Sequence, residues 1–118
     1  MALTFLNITV TNPMNGKHGG LTRRFLVDSG ATYSVMPAEE LEKLGVKPDD
    51  KQVFVLANGE KLEKSVGEAK FGYEDKHRTA PVVFGNKGVY LLGATTLESM
   101  GLILDPINRK LKSLPMLI

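Results

Sequence analysis

The sequence predicts a mainly β domain with one or two short helices. Three observations predict this fold class: short apolar and β-branched runs recur along the chain, turn-forming residues separate them, and only two stretches carry the start and stop residues of a helix. The 118 residues are expected to form a single domain, residues 1–118, around one core. With 42% hydrophobic and 24% charged residues, the composition is typical of a globular protein and not of a disordered chain.

The first two elements are predicted to be the strands of a hairpin. One strand is expected from residue 3 to about residue 11, and turn-forming residues follow at positions 13–16. The return strand begins near Leu21 and ends at Val27. It therefore delivers the chain directly into the tetrad Asp-Ser-Gly-Ala at residues 28–31.

A short helix is predicted after this tetrad. Pro37 suits the first position of a helix, where its fixed φ is already helical and its missing N–H costs nothing. Glu39 and Glu40 would then lie in the first turn, where the helix dipole favours acidic side chains. Gly45 is a natural stop for the helix because glycine readily adopts the left-handed conformation that ends one.

From about residue 51 the sequence again favours strands. Four are predicted, at residues 53–56, 61–66, 68–73 and 79–84. The pair Asn58-Gly59 between the first two favours a two-residue hairpin turn, because both residues tolerate positive φ.

An apolar run at residues 89–93 precedes the second predicted helix. Thr95 and Glu98 have the spacing of a capping box, and Gly101 would end this helix. A further strand is predicted at residues 102–104, with a turn at Asp105-Pro106 after it.

A degenerate internal repeat links the two helical stretches. Residues 41–46 echo residues 97–102, and in both copies an apolar strand, a glycine-containing turn and a short helix follow one another. The first copy has Asp28 in its turn, whereas the second has Leu91, Leu92 and Gly93 and therefore no acid.

Composition excludes several classes of function. The chain has no cysteine, so disulfides and thiolate catalysis are excluded, and His18 and His77 are too far apart to suggest a metal-ligand pair; no metal or cofactor is expected. The net charge of +2 is spread over short clusters, which argues against a nucleic-acid partner. Since the sequence has neither a membrane span nor a secretory signal, no membrane association is expected and the predicted location is cytoplasmic.

The residues around Asp28 are the candidates for chemistry. Asp-Ser-Gly alone is a weak signal, because a turn uses such residues to satisfy its own backbone. The context is more specific: three apolar residues precede the acid, Ala31 follows the glycine, a second hydroxyl occurs at Ser34, and a helix begins at Pro37.

In these features the chain resembles the retroviral-type, or retropepsin-like, aspartic proteases and their small prokaryotic relatives. The resemblance runs from about residue 21 to residue 114, with anchors at residues 25–34 and 90–93. It implies an acid-protease half-barrel that works as an obligate homodimer on peptide or protein substrates.

The resemblance also implies roles for individual residues. Asp28 would be the catalytic acid, Ser29 would tie the two active-site loops together across the dimer, and Gly30 and Ala31 would shape the substrate floor. The loop of the second half-repeat would be formed by Leu91, Leu92 and Gly93. The flap over the bound peptide would be formed by Leu56, Ala57, Asn58 and Gly59.

The chain departs from the viral members at three places. Ser29 stands where threonine is common, Thr32 and Tyr33 replace residues that are often acidic, and the flap contains less glycine. Substrate preference therefore cannot be copied from those enzymes.

One aspartate per chain implies a dimer. Amide hydrolysis by this route needs one carboxylate that takes a proton from water and one carboxylic acid that donates to the scissile carbonyl. Aspartic-protease dyads are the known example of two such groups that share one proton. Because the second half-repeat has Gly93 and no acid, the partner carboxylate would be Asp28 of a second copy, related by a two-fold axis.

Several alternatives stay open at the level of sequence. Asp105 is better explained as a turn residue, and Asp49 and Asp50 as solvated loop residues. The apolar end, residues 114–118, either completes the core of the monomer or pairs across the dimer. Apolar residues are candidates for the pockets or for the core: Val35, Val55, Leu56 and Val83. The whole domain could also be a non-catalytic peptide-binding or dimerisation module on the same fold, or a structural subunit of a larger assembly.

Overall fold

The fold was analysed in a computed structural model that describes residues 3–14 and 19–118. Within these residues the elements, in chain order, are β1 (Phe5–Thr11), β2 (Gly20–Val27), β3 (Ser34–Pro37), α1 (Ala38–Lys43), β4 (Asp50–Val55), β5 (Lys61–Tyr73), β6 (Lys76–Gly85), β7 (Leu91–Leu92), α2 (Ala94–Ser99), β8 (Leu102–Asp105) and β9 (Lys110–Ser113). The prediction of a mainly β fold with one or two short helices is therefore confirmed, and two are present. No helix in the described part of the chain is long and apolar enough to cross a membrane.

Seven strands form one sheet in the order β1-β2-β7-β3-β6-β5-β4. Strand β1 also pairs with β5, through Thr9 and Gly72 among others, so the sheet closes on itself as a small barrel and β4 projects beyond it. Strands β8 and β9 form a separate hairpin. Closure satisfies most strand edges within the fold, which leaves β4 as an edge strand.

The core fills the inside of this barrel. Phe25 on β2 packs edge-to-face against Phe71 on β5, with ring centroids 6.2 Å apart, and against Tyr90 at 5.5 Å. Edge-to-face packing of this kind adds to the area that each ring buries. Further fully buried apolar side chains come from both halves of the chain, among them Ile8, Val10, Met36, Leu41, Leu44, Val82 and Leu92.

The first half of the chain folds largely as predicted. Strands β1 and β2 form an antiparallel hairpin, with Phe5 opposite Leu26. Two residues of its predicted turn, Asn15 and Gly16, lie outside the described residues, as does His18. Helix α1 ends at the predicted glycine, since Gly45 has φ +78 and its N–H donates to the carbonyl of Glu42.

Two local predictions were wrong in detail. Pro37 lies before α1 as its N-cap, with extended ψ of 133, so the helix begins one residue later. Asn58 and Gly59 do not form a two-residue turn. The loop has three residues between the paired Leu56 and Glu60, and only Gly59 adopts positive φ, at +87. This is the arrangement of a type I turn followed by a glycine bulge.

The second half of the chain also differs from prediction. Residues 61–66 and 68–73 belong to the single strand β5, which runs through Gly67 without a break. The predicted capping box at Thr95 and Glu98 is absent, because α2 begins at Ala94 with Gly93 as its N-cap and no side-chain cap. Strand β9 was not predicted.

The apolar end of the chain does not complete the core. Leu114, Met116 and Leu117 are 50%, 67% and 99% exposed, so the interpretation of residues 114–118 as core residues is wrong. The backbone is nevertheless attached to the domain, because the N–H of Leu114 donates to the carbonyl of Gly101 at 2.7 Å. An exposed apolar segment of this kind is typical of a protein contact surface.

A charged network fastens α1 to the barrel. The guanidinium of Arg23 on β2 donates from Nη2 to Glu40 Oε2 at 2.8 Å, and the hydroxyl of Tyr90 donates to Glu40 Oε1 at 2.6 Å. Partial burial raises the pKa of Glu40, but the hydrogen bonds from Arg23 and Tyr90 outweigh it and hold that pKa below its ordinary value of 4.5. The same bond to Glu40 raises the pKa of Tyr90.

Replacing Glu40 by glutamine is expected to destabilise the fold in a pH-dependent way. Because the folded-state pKa of Glu40 is lowered, its stabilisation is present above pH 4.5 and is lost as pH falls through the folded value. At pH 7 we expect a loss of about 1 kcal/mol in urea unfolding, and near pH 3 a much smaller difference from the parent protein. Glu39→Gln, on the exposed side of the same helical turn, is the matched control and should change stability by only a few tenths of a kcal/mol. An equal loss of unfolding free energy in Glu40→Gln at both pH values would contradict a stabilising role for the ionised Glu40 carboxylate.

Candidate active site

Asp28 lies directly after β2 in a tight turn that fixes its carboxylate. Its backbone N–H donates to the carbonyl of Leu92 at 3.0 Å, and its carbonyl accepts from the N–H of Ala31 at 3.1 Å. The side-chain oxygen Oδ1 accepts from the N–H of Gly30 at 3.0 Å. The carboxylate is half-buried, while Ser29 and Gly30 are exposed. The loop therefore presents an oriented acid at the surface of the subunit.

The loop of the second half-repeat packs against the Asp28 loop. Parallel pairing of β2 with β7 sets Val27 beside Leu92, so Asp28 and Gly93 directly follow the ends of two neighbouring strands. The N–H of Ala94 donates to the carbonyl of Ala31 at 2.7 Å, and that of Thr95 donates to the carbonyl of Thr32 at 3.0 Å. The two predicted loops are thus brought together.

Gly93 has no room for any side chain. A Cβ atom at this position would come within 2.6 Å of the carbonyl carbon and oxygen of Tyr33, and within 2.9 Å of the carbonyl oxygen of Ala31. These are fixed backbone atoms that belong to the Asp28 loop. The close approach of the two backbones therefore excludes an acidic side chain at position 93 of the same chain.

Two buried hydroxyls join the loops beneath the surface. Ser34 Oγ accepts a hydrogen bond from the N–H of Gly93 at 3.0 Å and lies 2.6 Å from Thr96 Oγ1. Both side chains are fully buried. Sequence reasoning noted the hydroxyl at Ser34 but missed Thr96, which lies 62 residues away and carries no motif of its own.

An apolar cavity of about 400 Å³ lies between Ala31 of the Asp28 loop and the base of the predicted flap, the β4–β5 hairpin, and we call it the flap pocket. Its wall includes an edge-to-face contact of Tyr33 with Phe54 on β4, with ring centroids 6.3 Å apart. The full lining is Ala31, Thr32, Tyr33, Val35, Phe54, Leu56, Leu62, Lys64, Val83, Gly85, Asn86, Val89 and Leu91.

Three of the four predicted pocket residues line the flap pocket. Val35, Leu56 and Val83 line it, and Leu91 of the second loop lies in the same wall. Val55 points to the other face of β4 and is 69% exposed. The remaining flap residues, Ala57, Asn58 and Gly59, form the exposed turn between β4 and β5.

The other acids considered in the sequence have structural roles. Asp105 accepts hydrogen bonds at its carboxylate from the backbone and side-chain nitrogens of Asn108, which closes the β8–β9 turn. These bonds lower the pKa of Asp105 below its ordinary value. Asp49 and Asp50 are exposed. Within residues 3–14 and 19–118, no group of three or more histidines or acids is arranged to hold a metal ion.

A sequence profile of the family described as aspartyl protease matches residues 14–102, which cover both loops, the β4–β5 hairpin and the two helices. The chain belongs to this aspartyl protease family. No curated protein sequence gives a significant match.

The fold of this aspartyl protease-family chain is similar to that of a retroviral protease. The structure of EIAV protease complexed with the inhibitor HBY-793 superposes with a TM-score of 0.60, covering 88% of this chain and 93% of the viral chain at 16% sequence identity. At this identity the comparison establishes the fold. It confirms the resemblance to retropepsin-like proteases that the anchors at residues 25–34 and 90–93 implied.

Proposed function

We propose that this chain is an aspartic endopeptidase that acts as a homodimer, with one Asp28 from each subunit at a shared active site. The family and the fold make it a protease-like hydrolase domain. The dimeric mechanism rests on the local geometry of the two loops. Water would be activated between the two Asp28 carboxylates, one ionised and one protonated.

The observation that carries this proposal is the closed position at Gly93. The parallel register of β2 and β7 sets Gly93 beside Asp28, where the second half-repeat would have to supply an acid for a two-carboxylate site within one chain. The backbone of Tyr33 and Ala31 excludes even a Cβ atom there. The partner carboxylate would therefore come from Asp28 of a second subunit.

The flap hairpin is suited to hold an extended peptide. Within the described residues β4 pairs only with β5, so its outer edge is free to add one more strand. Main-chain pairing of this kind binds peptides with little dependence on sequence, and alternate side chains then enter pockets. The flap pocket next to Ala31 would receive one of them.

The exposed apolar end is the surface that we assign to dimerisation. Together with Ser29 of the active-site loop, Leu114 borders a cavity of about 580 Å³ whose walls are mostly apolar, and we call it the tail cleft. Its other lining residues are Ala94, Leu97, Glu98, Leu102, Ile103, Leu104 and Pro106. A partner's residues 114–118 could fill this cleft, which would place the two Ser29 residues near one another.

Deleting residues 116–118 is expected to weaken the dimer. These side chains are exposed in the subunit, and burying them twice in a symmetric interface would contribute several kcal/mol. We expect the dissociation constant measured by sedimentation to rise about 100-fold or more. Met14→Ala is the control, because it removes another highly exposed apolar side chain that is distant from residues 116–118 in the sequence. It should leave the dissociation constant unchanged. An unchanged dimer after the deletion would refute the role of the tail.

The test of the proposed function is hydrolysis of an unstructured protein at mildly acidic pH. Cleavage by the parent chain that disappears in Asp28→Asn, while sedimentation shows the same dimer, would support the peptidase. Binding of the unstructured protein without cleavage by either form would instead favour a non-catalytic peptide-binding module on the same fold. A chain that stays monomeric over a wide concentration range would exclude the shared site.

A further inference from the structure

The flap pocket has one charged side chain in its lining. Lys64 lies on β5, opposite Gln52 of β4, and its side chain is half-buried. Its Nζ donates to Asn86 Oδ1 at 3.3 Å, so the ammonium lies between the flap hairpin and the segment that joins β6 to β7. The rest of the lining is apolar or neutral, and it contains no carboxylate.

This ammonium has no acid partner within the described residues. The ion pairs found there join Arg23 to Glu40 and Lys51 to Glu63. Glu63, the neighbour of Lys64 along β5, points to the opposite face of the strand because side chains alternate there, and it lies 3.9 Å from Lys51. An ammonium has three donors, and the neutral amide of Asn86 occupies only one of them.

We propose that Lys64 is a specificity-determining residue that makes the flap pocket select glutamate over a neutral side chain of the same size. The methylenes of the glutamate would lie against apolar wall residues such as Val35 and Val83, and its carboxylate would meet the ammonium of Lys64. This inference rests on the proposed function, because it assumes that the peptide lies beside Ala31 under the flap.

The strength of the selection follows from the position of Lys64. A fully exposed ion pair contributes little, because water and salt screen it. The stem of Lys64 lies against the apolar wall, while its ammonium is exposed to solvent where it contacts Asn86, so the pair with glutamate would be partly screened. Glutamine has nearly the same shape as glutamate but no charge. The ratio of kcat/KM for the two peptides therefore isolates the contribution of the ammonium of Lys64. We expect a preference of about two- to fivefold.

The experiment uses pairs of short fluorogenic peptides that differ only by glutamate or glutamine at one position, with that position moved stepwise along both sides of the scissile bond. The parent protein should show the higher kcat/KM for glutamate at one position. Lys64→Met should bring the ratio at that position to about one, and Lys64→Glu should invert it. The preference should also fall as pH is lowered through the ordinary pKa of glutamate, about 4.3.

Two controls separate this inference from its alternatives. Lys87→Met removes an exposed cation next to Asn86 but outside the lining, and it should keep the preference of the parent protein. Binding of the same labelled peptides to Asp28→Asn, measured by fluorescence anisotropy, tests Lys64 even if no peptide is cleaved. Equal values for the two peptides at every position, a preference that survives in Lys64→Met, or no binding of either peptide would overturn the inference.

Discussion

Replacing Asp28 by asparagine is expected to lower kcat/KM by about 10⁴-fold, because an amide can neither take a proton from water nor hold the shared proton. The substitution is nearly isosteric, and the amide oxygen can still accept the hydrogen bond from the N–H of Gly30. The loop should therefore keep its shape. Rates on an unstructured protein substrate, together with sedimentation and thermal unfolding, separate loss of chemistry from loss of structure. Full activity of the variant would end the proposal.

Mixed dimers provide a stricter test of the stoichiometry. When equal amounts of parent and Asp28→Asn subunits exchange freely, about a quarter of the dimers carry two aspartates, so the activity per parent subunit should fall to about half. A site that needs only one aspartate predicts no such loss. Activity in proportion to the content of parent subunits would show that each chain works alone.

The Asp28 loop could be predicted from sequence because its determinants are local. An apolar strand, an acid, a glycine and a following helix lie within about 20 consecutive residues. This combination is typical of a turn at the end of a strand. The helix stop at Gly45 was equally local. Local patterns of this kind predict the path of the backbone where the residues that determine it are close together in the sequence.

Features that depend on distant contacts were missed or misread. Gly67 suggests a break between two strands, but it lies within β5, and a glycine is needed there because a Cβ atom would come within 2.7 Å of the carbonyl oxygen of Lys47. The capping box predicted at Thr95 is absent: α2 begins after Gly93, whose N–H donates to Ser34 Oγ from the other half-repeat. The closure of β1 on β5 likewise has no local signal. Pairing across such distances depends on the assembled barrel.

Replacing Gly93 by alanine is expected to destabilise the fold by about 3 kcal/mol or more, through overpacking. The backbone at Gly93, with φ −93 and ψ 174, suits alanine well, so conformational strain contributes nothing. The cost comes from backbone atoms of Tyr33 and Ala31 that would lie 2.6 Å and 2.9 Å from the new methyl group. To relieve the contact, the Asp28 loop and the Gly93 loop must separate. Activity should therefore fall together with stability in urea unfolding.

Gly88→Ala is the matched control, because it introduces backbone strain without a steric clash. Gly88 has φ +81, where alanine is strained, yet nothing lies within 4 Å of the added methyl group. We expect a loss of about 1 kcal/mol from conformation alone, with catalysis little changed. If Gly93→Ala proves no more costly than Gly88→Ala, the two loops are not in close backbone contact. Position 93 could then accept a side chain, and the argument that the partner carboxylate comes from a second subunit would lose its basis.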